Sequence, residues 1–292
     1  MFKVDNAIIM AAGTSSRFAP LSYELPKALI EVKGEVLIER QIKQLKEVGI
    51  NEIIIVTGYK SEQFEYLKDK YNVTLVHNKD YLTKNNNASI YVVKEYLKNS
   101  YVCSADNYFT INPFENTVDQ SYYSAIYADG ETKEWCLSYD KSDIITDVKI
   151  GGVNSWFMLG HTFWDENFSK RFVEILEDIY DLEETYNLLW ESIYMKHLDE
   201  LKMKIRKYNS EDIFEFDTLD ELREFDESYI YDTRSQILKS IVNKLDTKEE
   251  NLKNILSYKD KNNAASGFTF ENKGKKYIYS YGKGELELYE GK

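Results

Sequence analysis

The strongest constraint on the fold is the grouping of apolar residues in the first hundred positions. DNAIIMAAG and NEIIIVTGY each carry a short, nearly unbroken apolar run, the pattern of a strand buried on both faces. Between them EVLIERQIKQLKEVG puts Leu37, Ile38, Ile42 and Leu45 on one helical face and stops at Gly49. SEQFEYLKDKY follows as a helix with Ser61 as its expected N-cap, then VTLVHN as a strand, NASIYVVKEYL as a helix and SYVCSADNYF as a fourth strand. Strands alternating with helices at this spacing predict an α/β fold: a doubly wound, mostly parallel, Rossmann-like sheet with helices on both faces. In such sheets ligands bind beyond the carboxyl ends of the strands. Three segments then share one rim: Ala11 to Arg17, Gly58 to Lys60, and Ala105 to Asn107.

From Tyr122 the pattern turns antiparallel, through SYYSAIYAD, EWCLSYD, IITDVKI and SWFMLGHTFW. ENFSKRFVEILEDIY and NLLWESIYMKHL read as helices and ELKMKIRKY as an edge strand. DIFEFDTLDELREF reads as a strand end and a helix, with Asp217 or Thr218 at the helix start. Near residue 227 the charge balance changes. Residues 1–226 carry 25 basic and 40 acidic side chains, whereas 227–292 carry 12 and 10. The expected organisation is therefore a domain over 1–226 and a small α+β module over 227–292. That module has a helix through Ile237, Ile241 and Leu245, and a hairpin, GFTFENKGKKYIYSY, turning at Asn-Lys-Gly. A module of this size is only marginally stable alone.

A net charge of −13 disfavours non-specific nucleic-acid binding, which needs clustered cations. No apolar run reaches the length of a membrane span and the N-terminus lacks the pattern of a signal peptide, so the cytoplasm is the expected setting. Cys103 and Cys136 have no metal spacing and read as buried thiols. His77, His161 and His197 form no motif, which argues against a histidine-based metal site or triad.

The first rim segment, AAGTSSRFAPLSYELPKAL, puts a strand end against small residues whose backbone can approach a phosphate closely. Arg17 and Lys27 add fixed positive charge, and Pro26 sets the chain just before Lys27. The stretch has neither the Gly-Lys-Ser/Thr of a Walker A loop nor Gly-x-Gly-x-x-Gly, so P-loop and dinucleotide-dehydrogenase readings are disfavoured.

Ala11-Ala12-Gly13 with Arg17 and Pro26-Lys27-Ala28-Leu29 resembles the signature of nucleotidyltransferases. Asn85-Asn86 with Ser89, ADNY at 105–108, EW at 134–135, LLWE at 188–191 and FEFD at 214–217 narrow this. Together, over about residues 5 to 226, they resemble bacterial CTP:phosphocholine cytidylyltransferases. The resemblance implies a nucleotidyltransferase fold and a reaction in which an acceptor phosphate oxygen attacks the α-phosphorus of CTP and pyrophosphate leaves. It implies Mg²⁺ held by Asp106 and Asp217, two carboxylates completed by substrate oxygens and water. Arg17 and Lys27 would neutralise the triphosphate, and Lys149 is a candidate to touch the transferred or acceptor phosphate. Nucleotide contacts are expected from Ala11, Ala12, Gly13, Asn85, Asn86, Ser89 and Ala105. The acceptor is expected at Asp106, Glu134, Trp135, Trp190 and Glu191, since a quaternary ammonium is held by aromatic faces and carboxylates. Blander roles stay open: a helix cap for either aspartate, loop composition for the asparagines, core filling for the tryptophans.

The chain departs from the family pattern at Leu189-Trp190-Glu191, where Tyr-Trp-Asp is usual, and at Asn87-Ala88, where aromatics are expected. Both departures fit a smaller head with a primary amine, and 2-aminoethylphosphonate is the alternative acceptor. Residues 237–284 resemble the opening of bacterial choline kinases, without the catalytic residues of a kinase. A relic, a dimerisation or lid element, and a piece of a fusion to a second enzyme domain all remain open for the tail, as does a homo-oligomer. The residues oppose two other classes. A silent regulatory nucleotide-binding subunit is opposed by the retention of Arg17, Lys27, Asp106 and Asp217. A glycosyltransferase would want Asp-x-Asp where this chain has Asp106-Asn107-Tyr108.

Overall fold

The computed structural model describes residues 1–260 and 265–289. The expected 227–292 module therefore includes positions, 261–264 and 290–292, that lie outside the described residues. By its contacts the chain parts into two compact units. The first is residues 1–13 with 37–215, and the second is 14–36 with 216–292.

The first unit is built on a seven-stranded sheet. Its strands are β1 (Asn6–Ala11), β2 (Ile53–Thr57), β3 (Thr74–His77), β4 (Ser100–Ser104), then, beyond the short strand β5 (Asn107–Phe109), β6 (Tyr122–Tyr139), β7 (Ile145–Trp164) and β8 (Lys204–Lys207). Their order is β8-β6-β7-β4-β1-β2-β3. β1 pairs in parallel with β2 and β4, and β2 in parallel with β3. β7 runs antiparallel to both β4 and β6, and β8 lies parallel to β6 at the edge. The apolar runs of β1 and β2 are buried from end to end, apart from the last two residues of β1, because helices cover the sheet. Helix α1 (Leu37–Glu47) buries Leu37, Ile38, Ile42 and Leu45 as its periodicity predicts. The other helices of this unit are α2 (Tyr66–Tyr71), α3 (Asn87–Val92), α4 (Glu166–Ile179) and α5 (Trp190–Lys196). β9 (Ile213–Glu215) closes the unit by pairing with β5.

Two expectations are corrected. Ser61 is not an N-cap: Lys60, in the left-handed region, precedes a 3-10 turn over Ser61–Phe64, and α2 begins only at Tyr66. The four antiparallel segments after Tyr122 merge into two long strands, β6 and β7, whose pairing is broken by bulges rather than by loops.

In the second unit, helix α6 (Leu219–Phe225) starts from Thr218, whose hydroxyl accepts the Glu221 amide, so Thr218 and not Asp217 is the cap. Helix α7 (Gln236–Leu245) is capped by Ser235 in the same way. A four-stranded antiparallel sheet follows: β10 (Lys253–Lys259), β11 (Ala265–Asn272), β12 (Lys275–Ser280) and β13 (Glu285–Leu288). The β11–β12 pair is the expected hairpin, and its turn puts Lys273 and Gly274 at positive φ. Buried Arg223 joins the parts, donating to the carbonyls of Tyr229, Glu249 and Leu252. Among the described residues no helix is long and apolar enough to cross a membrane.

Candidate functional site

The rim of the first unit is assembled by backbone contacts. The Ala105 amide donates to Met10 and the Tyr59 amide to Ala12, which seats the ends of β4 and β2 against the end of β1. Gly58 makes this approach possible: a Cβ there would lie 2.8 Å from both the Ala12 carbonyl oxygen and the Tyr81 side chain. Ala11 is half-buried, Ala12 buried and Gly13 exposed. The loop thus presents backbone rather than side chains, as a phosphate- or base-reading edge requires.

Asp106 lies in the turn between β4 and β5, half-buried. Its position depends on a residue with no signal in the sequence. Gln41 on α1 is fully buried, and its Nε2 donates to the carbonyls of Ser104 and Asn107, 2.9 Å each, on either side of Ala105-Asp106. Neighbouring Gln44 and Arg40 do the same for the Ile111 and Phe109 carbonyls. A helix in this position therefore clamps a turn through polar side chains that its amphipathic pattern would assign to solvent.

A second group of expected residues gathers around α5. Asn86 Oδ1 accepts the Trp190 amide at 2.7 Å and its Nδ2 donates to Glu191 Oε2 at 3.1 Å. Asn85 takes the Tyr186 and Asn187 carbonyls, and Asn87 those of Thr185 and Leu188. Lys84, one residue upstream, donates to the Tyr180 carbonyl with its ammonium 3.2 Å from that ring's centroid and 4.6 Å from that of Tyr186. Four consecutive residues, 84 to 87, thus clasp the segment 180–191. The side chains of Asn85 and Asn86 are engaged with that segment, so their evident task is to build it. Ser89 is buried and accepts from Asn78 Nδ2.

Trp190, expected on the receiving surface, is 1 % exposed. Its ring stacks on Tyr123 (5.7 Å, 13°) and meets Trp164 edge-on. It is core, and Glu191 and buried Tyr123 stand beside it. The Tyr123 hydroxyl donates to Glu191 at 3.4 Å. Burial pushes the Glu191 carboxyl up to about 7 against its two hydrogen-bonding partners. Ala88 is fully buried, so packing is one sufficient account of the small residue there. Trp135 is half-buried against the same apolar cluster that holds Tyr123 and Trp190. Glu134, its neighbour, is exposed. Trp135 pairs with Ile150 on the long two-stranded arm of β6 and β7. Lys149, on that arm, is exposed and pairs with Asp147 at 3.2 Å.

The charged part of the expected site belongs to the second unit. Ser15, at positive φ, leads into a 3-10 turn carrying Arg17, and Pro26 leads into another carrying Lys27. Both cations meet Asp217: Arg17 Nη1 lies 2.6 Å from Oδ2 and Lys27 Nζ 3.9 Å from Oδ1. Arg17 is 69 % exposed and Lys27 only 5 %. A buried ammonium beside one carboxylate is a strong local source of positive potential. Asp106 and Asp217 are hard oxygen donors, the chemistry that suits Mg²⁺ and does not suit zinc. Among the described residues no three His, Cys, Asp or Glu side chains cluster as a protein-only metal site.

A doubly wound sheet with a small-residue loop at its rim is the fold of a nucleotidyltransferase. The family model of the MobA-like NTP transferase domain matches residues 7–140. The choline-phosphate cytidylyltransferase of Streptococcus pneumoniae is 41 % identical over 225 residues, 76 % of this chain and 96 % of the relative. The 2-aminoethylphosphonate cytidylyltransferase of Lancefieldella rimae is 36 % identical over 234 residues, covering 79 % and 95 %. The solved structure of the Streptococcus pneumoniae CTP:phosphocholine cytidylyltransferase superposes with a TM-score of 0.74 at 39 % identity, covering 78 % of this chain and 99 % of that one. The chain belongs to this cytidylyltransferase family.

Proposed function

We propose that the protein transfers CMP from CTP to phosphocholine or a closely related phosphorylated or phosphonate amine, with release of pyrophosphate. Membership of the family over nearly the full length of its relatives supports the reaction. Arg17 and Lys27 neutralise the triphosphate and hold it for in-line attack by the acceptor's phosphate or phosphonate oxygen on the α-phosphorus. Such a reaction needs alignment and charge neutralisation rather than a covalent nucleophile. Asp106 and Asp217 would hold Mg²⁺, which supplies Lewis-acid polarisation of the phosphate oxygens when bound. The backbone of Ala11 to Gly13 and of Ala105 faces the nucleotide. A cytoplasmic setting belongs to the same proposal.

The observation that carries the acceptor class is Glu191. A carboxylate fixed by Asn86 and Tyr123 in poorly hydrated surroundings is a receptor for a cationic head. The closed ring of Trp190 favours the smaller head as a second reading, because an aromatic with no open face contributes nothing to a trimethylammonium cage. Pyrophosphate release with CTP and Mg²⁺, offering phosphocholine and 2-aminoethylphosphonate separately, tests both. Turnover with neither acceptor, in protein that binds CTP, would sink the proposal.

A further inference from the structure

About a quarter of this chain lies outside the region matched to the streptococcal relative, although that relative is matched almost whole. The recognised motifs end with FEFD at 217. The residues beyond them have no assigned task, and the structure shows what they touch. Within the second unit they pack on the loop that carries Arg17 and Lys27. Tyr281 stacks face to face on Tyr23, with centroids 3.8 Å apart and planes 4° apart. The Ile237 amide, in the first turn of α7, donates to Glu24 Oε1 at 3.0 Å. The Tyr229 hydroxyl donates to the Glu31 carbonyl at 2.5 Å, and Arg234 lies 3.7 Å from the Glu31 carboxylate. Tyr281 is itself fixed, its amide bonded to the Ser266 carbonyl of the four-stranded sheet. These contacts reach residues 23, 24 and 31, on both sides of Lys27.

We propose that residues 227–260 and 265–289 act as a brace that positions the triphosphate-binding loop, with Tyr281 and Ile237 as its principal contacts. The inference rests on the reading that Arg17 and Lys27 hold the triphosphate of CTP. A short loop that must hold two cations against phosphates loses conformational freedom on binding, and a partner that orders it beforehand lowers that cost. The tail thus serves nucleotide capture without touching the nucleotide. It is built for CTP and indifferent to the acceptor.

The test is steady-state kinetics on the full chain with CTP and the better of the two acceptors, with melting temperatures for every variant. Tyr281→Ala should raise KM for CTP about five- to tenfold, leave KM for the acceptor unchanged, and be rescued by Tyr281→Phe, which keeps the stack. Glu24→Ala removes the acceptor of the Ile237 amide from the loop side, leaves the tail intact, and should give the same split. This second variant stands if Tyr281→Ala does not fold. Arg17→Met is the control on the underlying reading. If it leaves KM for CTP unchanged, the assignment of the cations fails and the brace with it. If Arg17→Met weakens CTP while Tyr281→Ala and Glu24→Ala do not, or if those two shift both KM values alike, the brace alone is overturned.

Discussion

The segment around Glu191 and the loop around Arg17 are both irregular, yet they are held by different means. Residues 180–191 are stitched by neutral amides and one caged ammonium, each bond saturated by protein. The loop at 14–36 brings exposed Arg17 and buried Lys27 to the Asp217 carboxylate. Neutral hydrogen bonds among buried groups have a fixed geometry and are costly to leave unmade. Ion pairs at an exposed site are worth little and exchange partners readily. The contrast fits the two proposed tasks: a receptor for a small rigid head should be finished before its ligand arrives, whereas groups proposed to take up a triphosphate must be free to let go of what they hold.

The largest expected effect tests the exchangeable side. Asp217→Asn should reduce CMP transfer about 10²- to 10³-fold, measured as pyrophosphate release at saturating CTP. Near-normal turnover would remove Asp217 from the metal and leave it as a mere counter-ion of Lys27.

Glu191→Gln tests the finished side and should separate function from stability. KM for the acceptor should rise about tenfold with KM for CTP unchanged. Because burial raises the carboxyl from 4.5 to about 7, folding favours the protonated form. Its contribution is greatest below pH 4.5 and is lost as pH rises to about 7, a cost of roughly 3 kcal/mol at higher pH. The glutamine variant should therefore unfold at higher denaturant than the parent at pH 8, with the gap narrowing as pH falls towards 4.5. A gap independent of pH would show that Glu191 is ionised without penalty.

Smaller effects sharpen the comparison structurally. Gly58→Ala forces a Cβ to 2.8 Å from the Ala12 carbonyl and should cost about 1–3 kcal/mol in a urea titration. No loss would mean that the rim can give way there. Thr218→Ala removes the cap of α6 next to Asp217 and should cost about 1 kcal/mol, with a smaller effect on turnover than Asp217→Asn; an equal effect would point to helix order rather than charge as what Asp217 supplies.

Much of the framework was readable from residue pattern. Continuous apolar runs mark β1 and β2, and helical spacing marks α1, because burial on two faces or on one stripe leaves a local trace. The hairpin at Lys273-Gly274 was readable from its turn chemistry. The bulged continuity of β6 and β7 was not, since Gly151-Gly152 and Asp129-Gly130 look like turns and only pairing across the arm keeps them within the strands despite the positive φ of Gly130 and Gly151. The motif residues themselves were legible; their supports were not. Gln41, Tyr123 and Lys84 act on positions 63 to 96 residues away in the chain, and no local rule singles out a glutamine that will be buried. Trp190 shows the converse: its type and place fitted an aromatic cage, while its packing made it core.

The ion pair between Arg17 and Asp217 bears on how ionic strength acts on the protein. Uptake of a triphosphate by two uncommitted cations would be steeply weakened by added salt, since salt screens the attraction between exposed charges. On the proposed reading Arg17 would reach the phosphate by leaving the Asp217 carboxylate, which would then be available to a cation of its own. Charge contacts are traded rather than created, so the screening lost on one side of the exchange is recovered on the other. Nucleotide capture should consequently vary little with salt, a buffering of affinity that comes from one crossed pair of side chains.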